Sequence, residues 1–133
     1  MTTAQYKWTI VDDVIIAVGT DGKLPEEAWK TFVNEMATKP IKKYLMVVIG
    51  SIIVSSIQRK IGIDVVNKRG IKVAVVNDSS IVRGIVTAAS WFSVDIKSFS
   101  HSQLLDAVRD LGVPAYREDA VITAVEKLKV AVT

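Results

Sequence analysis

Two short apolar runs, each followed by a serine step and a helical pattern, constrain this chain more than any other feature. Lys43-Tyr44-Leu45-Met46-Val47-Val48-Ile49 is almost solidly apolar. After Gly50-Ser51 and Ile52-Ile53-Val54, Ser55-Ser56 opens a helical pattern in which Ile57, Ile61 and Val65 recur at four-residue spacing. Lys72-Val73-Ala74-Val75-Val76 repeats the strand signal, and Asn77-Asp78-Ser79-Ser80 opens another helix with Ile81, Ile85 and Ala89. Strands buried on both faces read as solid apolar runs rather than alternations. Strand-helix-strand-helix order requires crossovers, which predicts a parallel arrangement with helices packed on the sheet. The serines fall where strands end and helices begin, the edge at which α/β folds place ligands and switches.

The rest of the chain supplies the flanking elements. Tyr6 to Val11 and Val14 to Val18 read as strands joined at Asp12-Asp13, a spacing that suits a tight hairpin. Thr20-Asp21-Gly22-Lys23 reads as a second turn. Pro25 sits near the start of a helix, Glu26 and Glu27 suit its dipole, and Trp29, Phe32, Val33 and Met36 form its apolar face. Pro40 ends that helix by pushing Lys39 out of the α region. Gly70 and Gly112 read as left-handed C-caps. Val94 to Phe99 alternates, as an edge strand with one wet face does. Ser100-His101-Ser102-Gln103 has the form of a capping box, and Leu104, Leu105, Val108 and Leu111 line the helix that follows. Arg117 to about Lys129 reads as a last helix, with Val121, Ile122, Val125 and Leu128 on one side, appended to cover the sheet or meet a partner. The predicted order is β-β-α-β-α-β-α-β-α with an extra C-terminal helix. No repeat, linker or low-complexity tract divides the 133 residues, so the chain reads as one α/β domain.

Composition removes several function classes. The chain has no cysteine, which excludes disulfides, thiolate metal sites and a cysteine nucleophile, and its one histidine, His101, cannot build a histidine-rich metal centre. A mean hydropathy of +0.32 is high, yet the longest apolar stretch is about half the roughly 20 residues of a membrane span. No membrane span is therefore expected. The start, Met1-Thr2-Thr3-Ala4-Gln5, lacks a basic segment followed by an apolar core, so a cytoplasmic location is the default expectation. The net charge is +3, and the basic residues are scattered, with Lys39, Lys42 and Lys43 before one strand, Arg59 and Lys60 on a helix, and Lys68 and Arg69 after it. Nucleic-acid binders gather such charge on one face, so no nucleic-acid partner is expected.

This element order and these turn positions resemble the STAS domain of bacterial anti-sigma-factor antagonists and their SpoIIAA-like relatives, over roughly Tyr6 to Leu111. After its third strand that family carries Asp, Ser or Thr, Ser, Gly and an aliphatic residue. The matching stretch here is Val54-Ser55-Ser56-Ile57. Both serines stand in place, while Val54 and Ile57 replace the family's Asp and Gly. Lys72 to Arg83 matches the next strand, polar turn and helix, and Asp95 to Leu111 the final strand and helix. The resemblance implies a non-enzymatic signalling module that binds a partner protein, with Ser56 at the position a partner kinase phosphorylates. The looser SpoIIAA-like branch often lacks that motif and implies a small-ligand or lipid-binding module instead. No cofactor is implied.

Each candidate residue has a plainer reading beside the functional one. Ser55 or Ser56 serves as a helix N-cap, a phosphoacceptor or a partner contact. Asp78, Ser79 and Ser80 supply a cap for the next helix or a contact surface, since neither G-x-G-x-x-G nor a Walker motif accompanies them. Trp91 and Phe92 pack under the sheet edge or form a partner hot spot. Trp8 and Trp29 fall on predicted core faces. His101 reads as an exposed helix-start residue, because no acid is evident to orient it as a base. A protein partner is expected, with a homo-oligomer left open.

Overall fold

The computed structural model describes residues 2–78 and 95–132. The expected helix from Ser79-Ser80 through Ala89, with Trp91 and Phe92 after it, lies outside them. The described elements are β1 (Tyr6–Val11), β2 (Val14–Gly19), β3 (Gly22–Lys23), α1 (Glu26–Thr38), β4 (Lys43–Val48), β5 (Ile52–Ile53), α2 (Ser56–Arg69), β6 (Lys72–Val76), β7 (Ile96–Phe99), α3 (Leu104–Asp110) and α4 (Glu118–Ala131). Single 3₁₀ turns at His101–Gln103 and Ala115–Arg117 lead into α3 and α4.

Five strands form a mixed sheet in the order β1-β2-β4-β6-β7. Only the β1–β2 pair is antiparallel; it is the predicted hairpin, closed by Val11 opposite Val14 with Asp12 at φ 56°. The other three pairs are parallel. β2 is buried along its whole length. Its side chains divide with the pleat: Ile15 and Ala17 enter one core, and Val14, Ile16 and Val18 the other. That division is why the strands read as solid runs.

One layer, α1 and α2, covers the face that holds Trp29, Phe32, Met36, Tyr6 and Tyr44. The opposite face is covered by α3 and α4, which bring Ala107, Val108, Leu111, Val121 and Val125 against Leu45, Val47, Ala74 and Val76. The C-terminal helix is thus no appendage. It supplies a large share of one core layer, packing across β1 and β2 while α3 packs chiefly on β6 and β7.

Three local expectations are corrected. Thr20 to Lys23 is not simply a turn: Gly22 and Lys23 form β3, which pairs in parallel with β5 as a separate two-stranded piece. Leu105 of α3 faces solvent, and Ala107 takes the buried place beside Val108. The largest correction is the face of α2. Ile57 and Ile61 are 72% and 43% exposed, while Gln58, Gly62 and Val66 point into the core. The cause is close approach. A Cβ on Gly62 would lie 2.7 Å from Cζ2 of Trp29, so the helix backbone rests directly on the indole there. A side chain at that position would hold the helix away.

The helix ends are tied as the capping rules require. Gly70 ends α2 at φ 64°. Pro25 stands at the N-cap of α1, and Glu26 and Glu27 lie in its first turn. The guanidinium of Arg69, from the end of α2, donates to the carbonyls of Ala37 and Lys39, closing the carboxyl end of α1 from outside.

Candidate functional site

The parallel strands β4, β6 and β7 all end at one edge of the sheet, and every described candidate from the sequence lies at that edge. Ser55 is the N-cap of α2, and the cap is reciprocal. Its hydroxyl accepts from the Gln58 N–H at 3.1 Å, and Oε1 of Gln58 accepts from the Ser55 N–H at 2.9 Å. The Ser-x-x-Gln spacing of Ser55 and Gln58 was a legible signal for this box. Gln58 is buried, and its remaining groups are spent as well. Its Nε2 donates to the Leu24 carbonyl at 3.1 Å and to Glu26 at 3.0 Å, and its backbone carbonyl accepts the Trp29 indole N–H at 3.0 Å. A polar side chain survives in this core because each of its groups is paired.

Ser56, the first residue of α2, is exposed, and its hydroxyl makes no hydrogen bond among the described residues. Its hydroxyl is therefore the accessible one of the pair. Ile57 follows it into solvent, and Ile61 lies one turn on along the same side. Ile53, half exposed at the end of β5, precedes them. Ile57 and Ile61 thus form an exposed apolar pair one turn apart on α2, with Ser56 and the exposed Ile53 close by in sequence.

The rest of the rim is braced from within. Asn77, buried after β6, donates from Nδ2 to the carbonyls of Val48 and Gly50, both at 3.1 Å. Asp21 accepts the Ser51 N–H at 2.5 Å. Gly50 has φ 86°, and a Cβ there would run into the Asp21 carboxylate, so this turn requires glycine. Asp78 is exposed; its Oδ1 accepts the His101 N–H at 3.1 Å, joining the end of β6 to the turn after β7. Nε2 of His101 lies 2.9 Å from the Val48 carbonyl, so it carries a proton and donates there. His101 is half-buried, not the exposed residue expected, and its ring holds β4 to the turn after β7. The Ser100 box forms in part: Oε1 of Gln103 accepts the Ser100 N–H at 3.0 Å and also its hydroxyl.

The described candidates thus divide. Ser55, Asp78 and His101 are consumed in structure, and Ser56 is not. Ser79, Ser80, Trp91 and Phe92 lie outside the described residues. Among the described residues no side chains join a nucleophile, a base and an orienting acid, and no cluster of His, Asp or Glu could hold a metal ion. No described helix is long and apolar enough to cross a membrane.

Sequence reasoning missed the isoleucine pair because apolar residues at helical spacing normally mark a core face. Glycine at 62 and glutamine at 58, each four residues from a buried neighbour, were the signal for the alternative face. It also missed a groove of about 620 Å³ on the opposite side of the sheet, where α4 crosses β1. Thr9 and Val11 line it from the strand, and Ala120, Thr123, Ala124 and Leu128 from the helix. No protein-family model matches the chain, and no curated protein matches it.

Proposed function

We propose that this chain is a non-enzymatic binding module that presents the exposed side of α2 and the adjoining strand-end loops to a partner protein. The observation that supports the reading is the exposed pair Ile57 and Ile61, with Ile53 and the accessible hydroxyl of Ser56 close by in sequence. Isolated exposed apolar residues are common on any surface, but Ile57 and Ile61 are neighbours at i,i+4 on one helix side, and paired exposed isoleucines support an interaction site. The braced rim supports the same reading. A loop set that is already hydrogen-bonded pays little ordering entropy on binding. Ser56 directly precedes Ile57, so a phosphate there would add up to about two negative charges beside an otherwise neutral contact.

Affinity capture from the native cell tests this. Ile57→Asp places an unpaired charge in the contact and is expected to lose a partner that wild type and Ser56→Ala retain. Ser56→Asp is expected to weaken the same partner. Because Ile57 is 72% exposed, circular dichroism should be unchanged by Ile57→Asp. Identical partners on wild type and Ile57→Asp would refute the reading.

The groove between α4 and β1 supports a second reading, a module for a small ligand or lipid. Native mass spectrometry of the purified chain separates the two. A co-purified small molecule, displaced by Ala124→Trp and retained by Ile57→Asp, would favour the second.

A further inference from the structure

β1 is an edge strand, and Lys7 apart it lacks the devices by which edges are protected. It runs six residues, its register with β2 is unbroken from Tyr6 opposite Gly19 to Val11 opposite Val14, and it contains no proline and no bulge. A long regular edge of this kind is a template for another strand. Lys7 is its only charge. Trp8, Thr9, Ile10 and Val11 are all left half-buried. The far edge of the sheet differs. β7 has four residues, and Lys97 in its middle is bonded to Asp110 at 3.1 Å.

The hydrogen-bonding phase of β1 is fixed by its hairpin. Thr20 N–H donates to the Gln5 carbonyl, and in an antiparallel pair the bonded residues alternate. Lys7, Thr9 and Val11 therefore bond to β2, and Tyr6, Trp8 and Ile10 direct their N–H and C=O groups outward. No described strand pairs with that side.

The charges along this edge are polar in arrangement. α4 starts beside the turn after β1, where Arg117 bonds Asp12 at 2.8 Å, and runs back over the strand so that Lys127 and Leu128 share the groove with Thr9. Lys7 and Lys127 thus mark the amino end of β1, and Asp119 its carboxyl end. All three are exposed and make no ion pair among the described residues. The other charges at the carboxyl end are matched: Asp12 with Arg117, Asp13 with Lys43, Glu118 with Arg109.

We propose that β1 pairs antiparallel with β1 of a second copy of this chain, continuing the sheet across a two-fold axis at Trp8. In that register Tyr6 bonds Ile10 of the second copy, Trp8 meets Trp8, and Lys7 faces Thr9, so every outward backbone group is paired and the two Lys7 side chains stay apart. The axis sets the Lys7–Lys127 end of one copy against Asp119 of the other, twice. The grooves under α4 meet at the seam. This interface is separate from the exposed side of α2 and stands or falls without it.

Sedimentation velocity on the full chain over a concentration series tests the pairing. Wild type should dimerise at micromolar concentrations, roughly the range that separates specific association from edge contacts of no consequence. Ile10→Pro removes an outward N–H and leaves the β2 ladder bonded, so the variant should keep its circular dichroism and become monomeric. Lys127→Asp should weaken association about tenfold, because two symmetry-related pairs are reversed. Lys127→Asp combined with Asp119→Lys should restore it. A wild type that stays monomeric at about 100 μM, far above specific dimer affinities, would overturn the proposal. So would a dimer that survives Ile10→Pro, a dimer affinity left unchanged by Lys127→Asp, or a dimer lost only with Ile57→Asp.

Discussion

The two faces of the sheet are built from different chemistry. On the α1–α2 side, Phe32 sits at the centre of four other rings, with centroids 5.0 Å from Tyr44, 5.2 Å from Tyr6, 5.4 Å from Trp8 and 5.5 Å from Trp29. Polar tips of the same residues are tied: Tyr6 to Tyr44, Trp8 to Glu35, Trp29 to the Gln58 carbonyl. On the α3–α4 side the buried core residues among those described are all Val, Ile, Leu and Ala, with no polar tip to place. Aliphatic packing needs volume and little direction, so it tolerates repacking. A ring cluster has preferred angles and hydrogen bonds that fix one arrangement. The ordered face is the one that seats α2, and so sets where Ser56 and its isoleucines stand.

The sharpest way to break this contrast is to remove the centre of each face. Phe32→Ala should cost about 3–5 kcal/mol, because all four ring contacts lose their partner, and Trp29→Ala should fall in the same range. Val125→Ala on the other face should cost about 2 kcal/mol, since the cavity is smaller and its aliphatic neighbours can relax. Urea denaturation decides. Equal losses would mean that the ring face has no special order.

Gly62→Ala tests how the ring face seats α2. In a helix interior the change gains about 1 kcal/mol of propensity. Here the new methyl meets the Trp29 ring at 2.7 Å, and neither the indole nor the helix backbone can swing clear cheaply. Overpacking costs about 1–3 kcal/mol, so a net loss of roughly 1 kcal/mol is expected. A rise in melting temperature would show that α2 is not seated on Trp29.

The same glycine explains what the sequence revealed and what it hid. β2, β4 and β6 were legible because burial on both faces leaves no polar position to confuse the reading. The α1 face was legible because Trp29, Phe32, Val33 and Met36 are both apolar and buried, so pattern and packing agree. On α2 they disagree. Its isoleucines look outward, and its core face holds a glycine and a glutamine that only tertiary contacts make sensible. β3 and β5 were hidden for a different reason: two residues are too few to alternate. At the site, Ser55 was legible as a cap because capping is local. The division of labour between Ser55 and Ser56 was not, because it turns on which of two adjacent hydroxyls reaches the Gln58 N–H.

The tyrosine pair sharpens the comparison at high pH. Burial pushes both phenols above their ordinary value of about 10, and for Tyr6 the facing Tyr44 adds to the shift. A group with a raised folded pKa keeps its stabilisation below the unfolded value and loses it as pH rises beyond. Stability should therefore fall above about pH 10, with the two phenols ionising only as the fold opens. Tyr6→Phe leaves the Tyr44 hydroxyl buried without its partner and should cost about 1–2 kcal/mol. The double change to Phe should cost less than the single one. A phenol titration by ultraviolet absorbance that precedes unfolding would contradict the burial of the pair.

The smallest expected effect lies at the acid end, and again on the ring face alone. The Lys39 ammonium at 2.7 Å, and then the Trp8 indole N–H, hold the Glu35 carboxyl below its ordinary range, with desolvation opposing weakly. A depressed folded pKa means that the folded state binds fewer protons than the unfolded one. Its contribution is present above the unfolded value of about 4.3 and is lost as pH falls through the folded value. Glu35→Gln keeps an acceptor for the indole but has no charge to lose. Its melting temperature should therefore drop less than that of wild type between about pH 5 and pH 3, the interval around the unfolded carboxyl value. The effect should shrink in high salt, because Lys39 is half exposed and its charge is screened there. Parallel profiles for the two proteins at low salt would leave Trp8 held to α1 by packing alone, and the ring face would then owe its order to ring geometry rather than to its charged tie.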